Sequence, residues 1–150
     1  MIKKDLFKYV IVIVALISMA SIIKTATSLQ NFNKFYYMEA ETIANQYADK
    51  NYTAFSLNSV EKDKEKVFFF LLCGSEPLNS INISENQTDI TVSTKINFGD
   101  VKLLAENIED KSIVTTILKD GGNSIVLDAG EYNLYAVGRN FCGEIGIENK

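Results

Sequence analysis

The two cysteines, Cys73 and Cys142, are the residues of this sequence that could form a covalent cross-link. They lie far apart and match no CxxC spacing of a metal or redox site, so they are either a disulfide or two separate buried thiols. An exported domain would meet an oxidising compartment, where the bond would add ~4 kcal/mol of stability in the chain-entropy model. We therefore predict a disulfide between Cys73 and Cys142.

Aromatic side chains could form a flat platform for a sugar or a peptide. The candidates are Phe68, Phe69, Phe70, Tyr132 and Tyr135. Consecutive residues of a strand point to opposite faces, so rings as closely spaced as these are more often divided between core and surface. The sequence favours core packing for this group over a platform.

Four acids lie beside glycines in predicted turns, as calcium ligands often do: Asp100, Asp120, Asp128 and Glu131. None follows the spaced pattern of a calcium loop, and backbone geometry alone explains Asp and Gly in turns. The sequence has no His, which removes the commonest proton shuttle and imidazole ligand. No nucleophile with a base, carboxylate pair or phosphate loop is recognisable. We therefore predict no catalytic residue, no metal and no cofactor, and a protein that is not an enzyme.

The segment in front of these residues has a different composition. Residues 1–8 are basic, with Lys3, Lys4 and Lys8, and residues 9–23 carry no charge. Counted from Leu6, the apolar stretch gives about 27 Å of helix, against a hydrocarbon core of ~30 Å. Because the more positive flank stays inside, we predict a transmembrane helix over 9–23 with a cytoplasmic tail over 1–8 and an exported remainder.

The alternative to an anchor is a cleaved secretory signal. Ser18-Met19-Ala20 offers a small-x-small site after the basic tail, which would leave a secreted protein cut near Ala20. Ile22 and Ile23 continue the apolar run past that site, and no Gly or Pro breaks the helix nearby. These features favour a retained anchor that contacts the lipid bilayer.

A helical period continues beyond Lys24. One stripe collects the apolar positions of this region, Leu29, Phe32, Tyr36, Ala40, Ile43 and Tyr47. The sequence predicts an amphipathic juxtamembrane helix over 24–50, whose stripe packs on the outer domain. Steps of three and four also suit a coiled coil, so weak self-association through residues 27–48 is the alternative.

Residues 51–150 show strand patterning. In "TDITVSTKINF" the residues Ile90, Val92, Ile96 and Phe98 alternate with polar ones, and "VFFFLLC", 67–73, suits a strand buried on both faces. Further strands are predicted at 101–105, 113–118, 125–127, 132–137 and 144–147. No segment between them is long enough for a crossover helix. The fold class is therefore mainly β, with the N-terminal helix followed by a small antiparallel β-sandwich of about seven to nine strands.

The charge of this outer domain limits its partners. Nine Lys or Arg stand against fifteen acids in residues 51–150, a net charge of −6, and the domain has a single arginine, Arg139. It lacks the basic footprint that phosphate backbones require, so we predict no nucleic-acid partner. Asn51, Asn82 and Asn86 begin glycosylation acceptor triplets, which matter only in a host that glycosylates exported proteins.

The stretch "GDVKLLAENIEDKSIVTTI…NSIVLDAGEYNLYAVGRNFCGEIGIE", within residues 99–148, carries a resemblance. Its Gly-Asp-Val-Lys strand opening, its Asp-Ala-Gly-Glu-Tyr turn and its final Gly-containing hairpin resemble small exported, membrane-anchored β-sandwich proteins of Gram-positive bacteria. That group has no agreed activity. The resemblance implies a fold and a location, and it supplies no site residues.

These features lead to one principal hypothesis and one further alternative. The first is a single-pass membrane-anchored extracytoplasmic binding or interaction module, with an unknown protein or surface partner. The alternative is a pilin-like subunit of a surface filament or envelope machine, which would also begin with a long half-buried helix. The Gly cleavage site and the Glu at the fifth mature position that typify pilins are absent from this sequence.

Overall fold

The structure is a computed structural model that describes residues 2–43, 55–60 and 66–148. It divides into two compact units, one formed by residues up to Asn31 and the other beginning at Phe32. The elements, in chain order, are α1 (Ile2–Asn33), a 3-10 helix (Lys34–Tyr37), β1 (Phe55–Val60), β2 (Lys66–Pro77), β3 (Ile81–Ile83), β4 (Thr88–Asn107), β5 (Ile113–Ile117), β6 (Gly121–Leu127) and β7 (Gly130–Glu148).

The seven described strands form one antiparallel sheet. Its strand order is β1-β2-β7-β4-β5, while β3 pairs with β7 and β6 pairs with β4. The two longest strands, β4 and β7, lie side by side over most of their length, and each has further neighbours on its other edge. This arrangement confirms the mainly β, antiparallel, sandwich-like fold that the alternation predicts.

Two of the predicted strand groups are continuous in the structure. Residues 88–107, predicted as two strands separated at Gly99-Asp100, form the single strand β4, and 130–148, predicted as two strands, form β7. The pairing of β4 with β7 shifts register between Ile96 and Phe98 and again between Phe98 and Asp100. These bulges bend the strand without ending it.

The bulges change which residues of β4 face the core. Before them the even-numbered Ile90 and Val92 are buried, and after them the odd-numbered Val101 and Leu103 are buried in the same cluster. One inserted residue shifts the side-chain alternation by one, so both halves of β4 present an apolar face to one core. The prediction that Phe98 faces the core is therefore wrong, because Phe98 lies between the two shifts and is 55% exposed.

The principal core is a single cluster drawn from most strands. Phe69 and Phe141 are its largest fully buried side chains, with ring centroids 5.9 Å apart. The other members are Leu72, Ile83, Ile90, Val92, Val101, Leu103, Ala105, Leu118, Ile125, Leu127, Tyr132, Leu134, Ala136 and Ile145. The sequence predicted a strand buried on both faces at 67–73, but Phe70 within it is 59% exposed.

A second, smaller core lies on the opposite face of β4 and β7. Leu104, Tyr135 and Val137 are buried there together with Ile43, and Met38, Ala40 and Ile113 pack against them. Residues 34–43, which we call the strap, therefore cover this outer face of the sheet. The apolar stripe predicted to pack on the outer domain does so through Ala40 and Ile43, while Tyr47 lies outside the described residues.

The helix predicted over 24–50 is interrupted in the structure, because α1 ends at Asn33, a 3-10 helix follows over Lys34–Tyr37, and residues 40–43 are α-helical again. Asn33 is bound to Asn140 of β7 twice: its Oδ1 accepts from the Asn140 backbone N–H at 3.1 Å, and its Nδ2 donates to the Asn140 Oδ1 at 2.9 Å. Asn is a common residue at helix C-termini. Beyond it, a continued helix would lose the apolar contacts that the strap makes with the sheet.

Candidate functional site

The most concentrated group of charged and aromatic side chains surrounds Arg139. Arg139 and Asp100 are paired across β7 and β4, and the Arg139 Nε donates to the Asp100 Oδ2 at 2.8 Å. The guanidinium also lies 5.6 Å from the ring centroid of Tyr36 and 5.3 Å from that of Tyr37, and it donates to the Tyr37 hydroxyl. A carboxylate and two strap rings thus hold this cation.

Lys102 extends the same group along β4. Its Nζ donates to the Met38 backbone carbonyl at 3.3 Å and lies 5.5 Å from the Tyr36 ring centroid. Lys102 is buried, and this burial lowers its pKa. For Tyr36, burial and the negative charge of Asp100 raise the pKa of the phenol, while the positive charge of Arg139 lowers it.

This arrangement is a clasp between the strap and the sheet. Its cations are engaged by groups of the same chain, and it pairs no nucleophile with a base. Further along β4, Glu106 is also paired: its carboxylate accepts from the Tyr135 hydroxyl at 3.2 Å and lies 3.5 Å from the Lys111 ammonium. We call Tyr36, Tyr37, Asp100, Lys102 and Arg139 the clasp.

Sequence reasoning did not identify the clasp as a group. Its partners are far apart in the chain, since Arg139 follows Asp100 by 39 positions and Tyr37 by 102. The available signal was that Arg139 is the one arginine of an acidic domain. A single arginine in such surroundings needs a carboxylate or aromatic partner, but only the β4–β7 register identifies which one.

The predicted aromatic group separates into buried and exposed rings. Phe69, Tyr132 and Tyr135 are buried. Phe68 and Phe70 form an edge-to-face pair, with centroids 4.9 Å apart, on the surface of β2. In the pairing of β4 with β7, Phe98 lies opposite Cys142. Phe70 and Phe98 are both more than half exposed, on β2 and β4 respectively.

The acids considered as calcium ligands have separate local roles. Asp120 accepts from the Ile96 backbone N–H at 2.7 Å, and Asp128 accepts from the Gln87 backbone N–H at 3.3 Å. Asp100 is held by Arg139 and Glu131 lies on β7. Within residues 2–43, 55–60 and 66–148 the structure brings together no group of three acids, cysteines or histidines able to hold a metal ion.

Both cysteines are free thiols in the structure, so the predicted disulfide is not formed. Cys73 is buried on β2 between the Leu72–Phe141 and Gly74–Gly138 pairs, and its thiol donates to the Asn140 Oδ1 at 3.4 Å. Irregular pairing on both sides of Leu72 places Cys73 beside Asn140, while Cys142 accepts from Asn97 Nδ2 at 3.7 Å. Burial raises the pKa of the Cys73 thiol.

The helix α1 presents apolar side chains on all sides. Those more than half exposed are Val14, Leu16, Ile17, Met19, Ile22 and Ile23. Over the helical residues that the structure describes, no helix is long and apolar enough to cross a membrane. Residues 9–13 of the predicted span precede Val14, the first residue of α1 whose side chain is described.

Comparisons with known proteins add little to these observations. No protein-family model matches the chain, and no curated protein matches it. Among solved structures, it is similar to Drosophila melanogaster CENP-C bound to CAL1, with a TM-score of 0.31 and 9% identity over 83% of this chain and 96% of that one. It is also similar to the capsular polysaccharide assembling protein CapF from Staphylococcus aureus, with a TM-score of 0.29 and 9% identity over 67% of this chain and 32% of that one.

Proposed function

We propose that this protein is a single-pass membrane protein that presents its β domain outside the cytoplasm as a binding or interaction module. The observation that carries the proposal is the exposure of the apolar side chains of α1 between Val14 and Ile23. At 3.6 residues per turn these side chains point in every direction around the axis. A helix that is apolar all round is suited to lipid or to the interior of a protein.

The polar side chains of α1 are compatible with a lipid environment. Ser18 donates to the Val14 carbonyl at 2.8 Å, and Ser21 donates to the Ile17 carbonyl at 2.9 Å. Thr25, Thr27 and Ser28 make the same bond to the carbonyl four residues before them. Each hydroxyl hydrogen is thereby satisfied within the helix, which lowers the cost of placing it in hydrocarbon.

The charges at the two ends of the run support the proposed orientation. Lys3, Lys4 and Lys8 precede it, and Lys24 alone follows it closely. The positive-inside bias therefore favours a cytoplasmic N-terminus and an exported β domain.

The β domain itself supports an interaction role. Its strap side is occupied by residues 34–43, whereas the side chains of Phe70 and Phe98 are each more than half exposed. Aromatic residues are over-represented at protein interfaces. The module would therefore present Phe70 and Phe98 to a partner.

A matched pair of valine substitutions tests the anchor. Val14 on α1 and Val126 on β6 are 57% and 54% exposed. A lysine near the centre of a membrane-spanning helix costs about 3 kcal/mol, on the order of a hundredfold in partition. We expect Val14→Lys to move the protein from the carbonate-resistant membrane fraction to the soluble fraction, and Val126→Lys to leave it in the membrane.

Two results would contradict the proposal. Native protein recovered in the soluble fraction would remove the anchor. Protection of the β domain from protease added to cells stripped of their wall would remove the exported orientation, even if the anchor stands.

A further inference from the structure

The strand β5, Ile113–Ile117, has an unusual sequence for the edge of a sheet. Each of its residues, Ile-Val-Thr-Thr-Ile, is β-branched, and none is charged, Gly or Pro. Within the described part of the chain it pairs with β4 alone. Natural edge strands are commonly blunted by charges, Pro, bulges or very short length, and β5 has none of the first three.

The other described strands that pair on one side only are less suited to accept a partner. β1, Phe55–Val60, pairs only with β2, and a register shift between Leu57 and Asn58 makes its edge irregular, as bulges do at natural sheet edges. β3 has three residues, Ile81–Ile83, and pairs only with β7. β6 begins with Gly121 and Gly122, and Gly121 has a φ of 100°. Short length and glycine both weaken strand addition.

The hydrogen bonds at the two ends of β5 identify which of its backbone groups face outward. The Ser112 carbonyl accepts from the Asn107 N–H at 2.9 Å, and the Leu118 N–H donates to the Val101 carbonyl at 3.0 Å. Backbone groups alternate in direction along an antiparallel strand, so those of Val114 and Thr116 also face β4. The N–H and C=O groups of Ile113, Thr115 and Ile117 therefore point away from the sheet.

We propose that β5 is a self-association surface, on which a second copy of this chain pairs antiparallel about a two-fold axis through Thr115. In this register Thr115 faces Thr115 of the second copy, and Ile113 faces Ile117 in both directions. Every outward N–H and C=O group of the two strands then has a partner. A register displaced by two residues leaves some of these groups unpaired.

The side chains are self-complementary in the same register. Ile117, which is 66% exposed, comes to lie beside Ile113 of the second copy, and Val114 lies beside Thr116. Pairs of β-branched residues and Thr–Thr pairs stabilise antiparallel neighbours. This apolar and hydroxyl complementarity is what favours a second copy as the occupant.

Charge also restricts where two copies can meet. The residues from 51 onward carry a net charge of −6, so most surfaces of two copies repel each other, whereas β5 is neutral. Lys111 precedes the strand, has a left-handed φ of 63° and lies 3.5 Å from Glu106. The backbone therefore turns away from the strand at Lys111, before this lysine would face a lysine of the second copy. Salt screens the remaining repulsion, so we expect self-association to tighten at higher ionic strength.

The first test measures the mass of the full chain in detergent by sedimentation over a range of concentrations. Thr115→Pro removes an outward N–H and leaves the β4 ladder intact, and Ile117→Lys places a charge on each side of the contact. We expect the native chain and Val126→Lys to form dimers, and both β5 variants to associate at least roughly tenfold more weakly, a change of about 1.4 kcal/mol.

The second test is a cross-link that does not depend on loss of function. Thr115→Cys, in a Cys142→Ser background, places two thiols at the two-fold axis, where opposed Cα atoms about 5.5 Å apart are within disulfide range. We expect a covalent dimer on mild oxidation, and none from Ser124→Cys on β6 in the same background.

Three outcomes would overturn the proposal. The native chain could stay monomeric at every concentration, the dimer could persist unchanged in both β5 variants, or Thr115→Cys could cross-link only to a different protein. The second outcome would assign self-association to another surface, such as α1. If the Thr115→Pro variant loses its native circular dichroism, the Ile117→Lys variant and the cross-link still test whether β5 is the self-association surface.

Discussion

At the scale of single residues, Gly99 shows how tightly the bend of β4 is packed. Its φ is 80°, and a Cβ at this position would lie 2.2 Å from the Asn140 carbonyl oxygen. Both the backbone conformation and the close approach of β7 exclude a side chain there. The bulged crossing of β4 and β7 therefore depends on a glycine at this position.

We predict that Gly99→Ala lowers the free energy of unfolding of the β domain by about 2–4 kcal/mol. Gly122→Ala is the matched control, since a Cβ there has no heavy atom within 4 Å and its φ is not in the left-handed region. Urea unfolding of the full chain, followed by tyrosine circular dichroism, measures both. An equal effect of the two substitutions would contradict the packing at Gly99.

The burial of Lys102 makes strap docking dependent on pH. Its pKa is lowered in the folded state, so the folded protein releases this proton at a lower pH than the unfolded chain does. Between the folded pKa and the ordinary value of 10.5 the unfolded state binds more protons, and stability rises with pH. Lys102 thus opposes folding most strongly at neutral and acidic pH.

A difference measurement isolates this contribution. We predict that the unfolding free energy of Lys102→Met minus that of the native chain becomes smaller as pH rises from 7 to 10.5, because only the native chain gains from deprotonation. Tyr36 and Cys73, whose pKa values are raised, titrate in both proteins and largely cancel. A difference that does not change with pH would contradict a desolvated ammonium at Lys102.

At the scale of elements, the strap interrupts the helix predicted over 24–50, since α1 ends at Asn33 and α-helical structure resumes at residues 40–43. Its apolar residues recur at helical steps, yet Met38, Ala40 and Ile43 contact a sheet. The sheet supplies apolar surface at Leu104, Tyr135 and Val137 that a free helix would leave uncovered. The break after Asn33 therefore redirects the chain so that the helical residues 40–43 pack against the sheet.

We predict that Ile43→Ala destabilises the strap by about 2–4 kcal/mol, because Ile43 is fully buried between the strap and the sheet. Hydrogen exchange should then accelerate at the Ile43 amide, which donates to the Glu39 carbonyl at 3.2 Å. Glu41→Ala, at an exposed position of the same segment, should change stability by no more than about 0.5 kcal/mol. Equal exchange rates in the two variants would show that the strap is held elsewhere.

Strand alternation predicted the core where the strands are regular and failed where they are not. Ile90 and Val92 were assigned correctly because β4 keeps a strict two-residue period through them. Phe98 was assigned to the wrong face because Gly99-Asp100 suggested a turn, whereas the pairing with β7 makes it a bulge within a continuous strand. Gly99 was predicted as the end of a strand. Its role as a close-packed bend could not be predicted, because the atoms that crowd it belong to β7.

At the scale of the whole molecule, the mainly β antiparallel fold follows from the pattern, but the clasp does not. The alternating segments and the lack of room for crossover helices are local facts of sequence. The contacts of Arg139 with Asp100 and the strap tyrosines are set by which strands become neighbours. That choice depends on the summed packing of the sheet, which no short window of residues encodes.

The position of β7 has a consequence for biosynthesis. This strand, Gly130–Glu148, lies between β2 and β4 and also pairs with β3, so the ribosome must synthesise residues 130–148 before the earlier strands can acquire their shared neighbour. At about 5–20 residues per second, a few seconds pass between completion of β4 and completion of β7. During that interval the sheet cannot be completed, because only the pairings β1–β2, β4–β5 and β4–β6 are available to the nascent polypeptide.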